Sequence, residues 1–236
     1  MPKRTKISIL IPVYNEERTV KKLVSEVLAV DYGQRDIEVI VINDSRSSDR
    51  TQAILESIKD KRLKVLREPK KGKGSAVITG INNATGDIIV IQDADLEYDP
   101  NEIPTLIRPI EAKKTKVVYG SRFLGKIDYM PWHIRFANWL LTWMNNVFYF
   151  KHITDSCTCY KFMDTKLARE LKLQDPGFDI CHEITSKLFR RKITITEMPI
   201  HFLGSRSGAE GKKANWKNLL KSINAIFRYR FLADKA

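Results

Sequence analysis

Asp87-Ile88-Ile89-Val90-Ile91-Gln92-Asp93-Ala94-Asp95 is the stretch that decides how this chain folds. Its run of branched aliphatic residues predicts a strand buried on both faces, as in a parallel sheet covered by helices. The run ends at two carboxylates flanking an alanine. Side chains alternate along an extended segment, so Asp93 and Asp95 are expected on one side with Ala94 turned away. Two hard oxygen ligands at the carboxyl end of such a strand suit Mg²⁺ or Mn²⁺ held against a diphosphate. Aspartate also serves plain turns, and the neighbouring segments have to decide between the two readings.

Outward from that stretch the pattern repeats. Residues 7–13, 37–42, 63–66 and 116–119 read as further strands. Helical spacing covers 16–30, where Val20, Leu23, Val24, Val27 and Leu28 share a face, and also 49–59, 74–84 and 104–113. Strands alternating with helices predict an α/β fold with a mostly parallel sheet, whose ligands belong outside the carboxyl ends of the strands. The second half reads differently. Residues 132–150 hold Trp132, Trp139 and Trp143 with Phe136, Leu140, Leu141, Met144, Val147 and Phe148. Such a segment is either a helix packed on the sheet or an amphipathic helix lying in a membrane interface. Helices over 165–171 and 181–191, a strand over 193–198, a loop over 204–213 and a basic helix from Trp216 complete the reading. No linker and no repeat divides the chain, so 1–236 is read as one domain.

The chain has 236 residues, 43% of them hydrophobic, which is enough for a proper core. Cys157, Cys159 and Cys181 are too few and too unevenly spaced for a disulfide framework. They fit a reducing compartment, and Cys157 and Cys159 read as small buried residues rather than nucleophiles. No signal peptide opens the sequence, and no apolar run is long enough to span a bilayer. The expected location is cytoplasmic, at the membrane periphery. A net charge of +13 calls for an anionic partner, and the excess is concentrated late. Eleven Lys or Arg lie between Lys187 and Arg230 against Glu197 and Glu210. Most such residues elsewhere simply solvate helix faces. Zinc-ligand spacings, RNA-binding aromatic strands and basic zippers are all missing, so nucleic acid is not the expected partner.

Three further clusters fall at strand ends. Pro12-Val13-Tyr14-Asn15-Glu16 follows the first strand: Pro12 ends it, Tyr14 offers a face to a base, and Glu16 can accept from a ribose hydroxyl or base nitrogen. Asn43-Asp44 ends the second, where a carboxylate can accept a nucleobase N–H. Lys70-Lys71-Gly72-Lys73-Gly74 opens a helix, and glycines with a helix start favour close approach of an anion. Together with the paired aspartates these describe a nucleotide-diphosphate pocket.

The ordered set of segments resembles the family 2 inverting glycosyltransferases of the GT-A fold, specifically the dolichyl-phosphate mannose synthase group. The resemblance runs from Ile9-Leu10-Ile11-Pro12-Val13-Tyr14-Asn15-Glu16 through Asn43-Asp44, Gly72-Lys73-Gly74 and Gln92-Asp93-Ala94-Asp95-Leu96-Glu97-Tyr98-Asp99-Pro100. It continues through Gly120-Ser121-Arg122-Phe123, Asp155 with Cys159-Tyr160-Lys161, Gly177-Phe178 with Glu183-Ile184-Thr185, and Arg206 with Glu210-Gly211-Lys212-Lys213. It implies a nucleotide-sugar-binding half over about 1–125 and a largely helical half over about 126–236 that faces acceptor and membrane. Pro12, Tyr14, Glu16 and Asp44 would hold the nucleoside, with Lys73 and Ala94 in the same donor pocket. Asp93 would face the ribose or sugar. Asp95, with Glu97, would bind the Mg²⁺ or Mn²⁺ that bridges the diphosphate. Arg122, Arg206 and Lys212 would gather the acceptor phosphate and the leaving diphosphate.

Two departures stand out. Relatives commonly carry Asp-Gly-Ser where this chain has Asp44-Ser45-Arg46, which bears on base identity and loop shape. Some carry carboxyl-terminal transmembrane helices that this sequence, ending at Ala236, does not continue into, as in the short, peripheral branch.

The implied reaction moves a hexose, mannose from GDP-mannose, with inversion onto a polyprenyl phosphate. Such an acceptor is already ionised at neutral pH and needs no strong base. A second reading keeps the fold but uses UDP-glucose or a similar donor and a saccharide hydroxyl. That acceptor requires a carboxylate base, for which Glu183 is the candidate, with a structural role at a helix start as its alternative. Cys181 and His182 beside it point in different directions on a helix and do not make a metal site. A third reading, of another class, is a non-catalytic module that binds polyanions or membranes through its positive charge.

Overall fold

The computed structural model describes residues 4–204 and 216–231, with the backbone alone for 216–218. Its first half alternates β1 (Lys6–Val13), α1 (Val20–Ala29), β2 (Asp36–Asp44), α2 (Thr51–Ser57), β3 (Leu63–Glu68), α3 (Lys73–Asn83) and β4 (Ile88–Ile91). A 3-10 turn at Pro100–Glu102 and two short helices, α4 (Ile103–Leu106) and α5 (Arg108–Glu111), lead into β5 (Val117–Ile127). Then follow α6 (Trp132–Tyr149), β6 (Lys161–Asp164), α7 (Thr165–Glu170), α8 (Ile180–Arg190), β7 (Thr196–Phe202) and α9 (Trp216–Phe231).

The strands form one sheet in the order β3-β2-β1-β4-β6-β5-β7. β1 pairs in parallel with β2 and β4, β2 with β3, and β5 with β7. Only β6 runs against its neighbours, wedged between β4 and β5. Helices cover both faces, which is why the strands are apolar throughout. Ile7, Ile9 and Ile11 of β1 join Val39, Val41 and Val90 in one buried cluster with α1. Leu10, Ile40, Ile42, Ile89 and Ile91 point the other way, against α3, α7 and α8.

Several boundaries differ from the sequence reading, each for a local reason. Residues 16–19 are not helical: Glu16 gives its N–H to Thr51 Oγ1 at 2.8 Å, and Asn15 has φ 53°. The helix expected over 104–113 is two pieces, α4 and α5, because Pro109 has no N–H to continue the ladder. Pro12 lies inside β1 rather than ending it, opposite Ile42. The pairing of β1 with β4 stops at Leu10, so the missing Pro12 N–H costs no ladder bond on that side. The expected strand over 116–119 runs on to Ile127, and the one over 193–198 is shifted to Thr196–Phe202, held in register by β5. β6 was not expected at all; it is four residues long and set by its two neighbours, not by its own pattern.

Candidate active site

The loops after β1, β2 and β4 and the start of α3 converge at the carboxyl edge of the parallel strands, the position expected for a ligand in an open α/β sheet. Beside them lies a cleft of about 1450 Å³ lined by Glu16, Lys73, Asp93, Asp95, Glu97 and Arg122 among others. Tyr14 is half exposed past the end of β1, with the Arg46 guanidinium 5.6 Å from its ring centre. Asn15 ties that loop to the next, donating its N–H to Ser47 Oγ at 3.2 Å and accepting the Ser48 N–H at 2.9 Å. The Glu16 carboxylate accepts from the Thr19 hydroxyl at 2.6 Å.

Asp44 ends β2 buried, and both of its oxygens are taken. Oδ1 accepts the Arg46 N–H at 3.0 Å and Arg46 Nε–H at 2.9 Å, Oδ2 accepts Arg46 Nη2–H, and Gly72 N–H lies 3.5 Å from Oδ2. Burial pushes this carboxyl up, but the Arg46 bonds outweigh it and hold the group below the usual carboxylate range.

Two of the first N–H groups of α3 are already spent on protein carbonyls. Gly74 N–H donates to Gly177 O and Ser75 N–H to Pro176 O, each at 3.1 Å. The glycines allow this approach: a Cβ would sit 2.3 Å from Pro176 O at Gly72 and 1.9 Å from Asp175 O at Gly74. The glycine-rich turn therefore stitches the two halves together. Its contribution to the cleft is the Lys73 side chain, which donates to Asp93 Oδ1 and, at 2.9 Å, to Cys159 Sγ. Burial opposes the Lys73 charge, but Asp93 outweighs that and raises its pKa well above the ordinary value.

Beyond β4 the extended alternation stops at Ile91, and Ala94 and Asp95 form a turn. Asp95 Oδ1 accepts the Glu97 N–H at 3.3 Å and Leu96 has φ 62°. Ala94 is buried in the core with Tyr98, so its side chain is not part of the cleft wall. Asp93, Asp95, Glu97 and Asp99 all line the cleft. Among the described residues no three His, Cys, Asp or Glu side chains form a ready-made metal cage. Carboxylate oxygens in an open cleft, short of a full set, fit Mg²⁺ or Mn²⁺, whose remaining ligands come from phosphate and water.

The opposite wall comes from β5 and the residues that follow it. Arg122 in β5 is buried, and Asp155 grips it from beneath: Nε to Oδ2 is 2.7 Å, Nη2 to Oδ1 is 2.9 Å, and the Arg122 N–H adds 3.2 Å. Burial lowers the Arg122 pKa, but Asp155 more than reverses that. Asp155 is in turn fixed by its N–H to Glu197 Oε1 at 2.9 Å. Met130, Pro131, His133, Ile134 and Asn138 bring the start of α6 to the rim. Arg206 and Lys212 lie outside the described residues.

Glu183, the candidate base, is buried and fully engaged. Its carboxylate accepts the Gln174 N–H at 2.9 and 3.0 Å and the Asp175 N–H at 2.8 Å, and pairs with Lys187 at 2.9 Å. The structural alternative is the one observed. The cysteines are partly exposed rather than buried, and two of them meet: Cys159 Sγ and Cys181 Sγ are 3.9 Å apart. The Cys159 hydrogen bond, with Lys161 and Lys73 nearby, pulls Cys181 down to about 6. The sequence reading missed this cluster and Glu197; a carboxylate 42 residues along the chain from Asp155 leaves no local signal.

The mostly parallel sheet thus ends in acids that share one cleft with the fixed arginine Arg122. Residues 8–172 match Glycosyl transferase family 2, and the chain belongs to that family. It is 30% identical over 229 residues to the dolichol-phosphate mannosyltransferase of Pyrococcus furiosus, covering 94% of this chain and 63% of the relative. It is 27% identical over 216 residues to the UDP-N-acetylglucosamine–dolichyl-phosphate N-acetylglucosaminyltransferase of Methanococcus voltae, covering 82% and 84%. The chain thus spans under two thirds of the Pyrococcus relative's length. Glucosyl-3-phosphoglycerate synthase of Mycobacterium tuberculosis, in complex with Mn²⁺, UDP and phosphoglyceric acid, superposes with a TM-score of 0.74 at 18% identity over 98% of this chain and 80% of that one. The fold is GT-A-like, as the resemblance implied.

Proposed function

We propose that this glycosyltransferase moves mannose from GDP-mannose, with inversion, onto a polyprenyl phosphate at a membrane surface. The observation that carries the reading is the cleft itself, which joins the acids after β4 to Arg122 and the foot of an aromatic helix. The acids suit a metal-bridged diphosphate, the arginine suits an anionic acceptor, and the helix suits its lipid tail. The two relatives described are named for dolichyl or dolichol phosphate.

Asp95 and Glu97 would hold Mg²⁺ or Mn²⁺, which when bound supplies charge neutralisation for the leaving diphosphate. Lys73, bonded to Asp93, would orient that carboxylate toward the sugar side of the pocket. Arg122, its guanidinium plane fixed by Asp155, would hold the acceptor phosphate. Arg206 and Lys212 are assigned to the same phosphates from the resemblance. The acceptor oxygen arrives ionised, so no proton has to be removed. Glu183, bound to backbone N–H groups, is not available as the base a hydroxyl acceptor needs.

The lipid would be met by α6. Trp132, Phe136, Trp139, Trp143, Val147 and Phe150 recur every three or four residues and are all exposed, while only Leu141, Thr142 and Asn145 of this helix are buried. That stripe suits an interfacial helix. Among the described residues no helix is long and apolar enough to cross a membrane.

The test is transfer of labelled sugar from GDP-mannose, UDP-glucose or UDP-N-acetylglucosamine into an organic-extractable lipid phosphate. Labelled lipid from GDP-mannose, abolished by EDTA and by Asp95→Asn, is the expected result. Sugar appearing only on a saccharide, or activity surviving both treatments, overturns the assignment.

A further inference from the structure

The Asp44–Arg46 pair, on the loop after β2 and outside the lining of the cleft itself, changes how a nucleobase can be read at its edge. Each Asp44 oxygen has two lone pairs, and the Arg46 N–H, Nε–H and Nη2–H with the longer Gly72 N–H use them. An aspartate so engaged has nothing left with which to accept a base N–H. The guanidinium, by contrast, spends only its Nε/Nη2 side. Its other edge, between Nη1 and Nη2, has no partner among the described residues, and the side chain is 42% exposed beside the half-exposed Tyr14 ring. A fork of two parallel N–H donors next to an aromatic face wants two adjacent acceptors on a stacked ring. Guanine provides them at O6 and N7. Adenine places an N–H₂ donor there, and the two carbonyl oxygens of uracil are separated by an N–H donor.

We propose that Arg46, not Asp44, reads the donor's nucleobase, its free guanidinium edge donating to O6 and N7 of a guanine stacked on Tyr14. Asp44 is then a positioning residue that holds the guanidinium plane. The inference rests on the glycosyltransferase reading above and names the base that its donor carries.

Nucleotide affinities measured by calorimetry in Mg²⁺ test it. GDP binds wild-type protein about tenfold to a hundredfold more tightly than UDP or ADP, the range of one bidentate arginine–guanine contact. Inosine diphosphate, which keeps O6 and N7 but lacks the 2-amino group, binds like GDP. The 7-deaza analogue of GDP falls to the level of UDP. Arg46→Ala loses the GDP preference, and in it 7-deaza-GDP and GDP bind alike. Four outcomes overturn the proposal: a wild-type preference for UDP, inosine diphosphate binding far below GDP, unchanged binding of the deaza analogue, or Arg46→Ala tightening every nucleotide. The analogue series uses wild-type protein and stands even where the variant does not fold. Tight UDP binding with weak GDP binding ends this proposal and the GDP-mannose donor but leaves transfer from another nucleotide sugar standing, whereas no binding of any nucleoside diphosphate ends the transferase reading as well.

Discussion

The two walls of the cleft hold their charges by different devices. On the donor wall Lys73 and Asp93 both line the cleft and bond to each other, so an arriving nucleotide meets both members of the pair. On the acceptor wall only Arg122 is presented, and its partner Asp155 is completely buried behind it. The first pair can change partners when a diphosphate and its cation enter. The second is held in place, because Asp155 is fully buried and both of its oxygens are engaged by Arg122. On the function proposed above, a wall that accepts ligands of both signs would use an exchangeable pair, and a wall that grips one phosphate would use a fixed cation.

The sharpest way to break that contrast is to remove the hidden acid. Asp155→Ala leaves the Arg122 guanidinium buried without its counter-charge, and stability is expected to fall by about 3–5 kcal/mol, read by urea unfolding. Replacing both partners, Arg122→Met with Asp155→Leu, should recover most of that stability while transfer stays lost. If Asp155→Ala costs under about 1 kcal/mol, the acceptor wall is as exchangeable as the donor wall and the contrast falls.

A smaller effect asks whether pairing, and not burial, decides what charge the second half tolerates. His182, at the start of α8, is buried with Nδ1 lacking a hydrogen-bond partner among the described residues. Burial and the nearby Lys161 lower its pKa to about 4. Between about 4 and its unfolded value the unfolded chain binds a proton that the folded chain refuses, so stability rises with pH across that window and is lost as pH falls through it. The loss amounts to roughly 3 kcal/mol by about pH 4. His182→Gln should flatten the slope in urea titrations between pH 4 and 6.5. An unchanged slope would mean that other groups, not an unpaired imidazole, carry the acid sensitivity of this half.

The same division governs what the sequence revealed. The strands β1, β2 and β4 and the helices between them are written in side-chain periodicity, because each strand is buried on both faces and each helix on one. The acids after β4 were legible for a like reason: a strand end is a local event. Their geometry was not, since the chain leaves the extended conformation at Ile91 and Asp95 turns back on the Glu97 N–H. The glycines at 72 and 74 announced a close approach but not by whom; a segment about 100 residues further on, Asp175–Gly177, takes the place expected for an anion. β6 escaped notice because its position between β4 and β5 is fixed by pairing from outside. The role of Glu183 could be stated from sequence only as one of two alternatives, and three hydrogen bonds to backbone N–H groups decide it.

The least disruptive change sharpens the comparison furthest from the chemistry. Trp132 and Phe150 bracket the aromatic stripe of α6, 79% and 90% exposed. Neither contributes much to the fold, and Phe150 has φ 52°, a left-handed conformation that asparagine adopts more readily. Trp132→Ser with Phe150→Asn should therefore move stability by no more than about 0.5 kcal/mol. If the stripe enters a bilayer interface, each ring removed forfeits a large part of the roughly 1.5–3 kcal/mol that a buried large apolar side chain supplies. Flotation with anionic vesicles should then fall about tenfold or more, and transfer to a lipid-bound acceptor should fall with it, while transfer to a short-chain, water-soluble polyprenyl phosphate is unchanged. Equal loss on both acceptors would mean that the rings serve the cleft and not the membrane. No loss of vesicle binding would leave the basic surface of the second half as the carrier of membrane contact, with the acceptor's tail entering by another path.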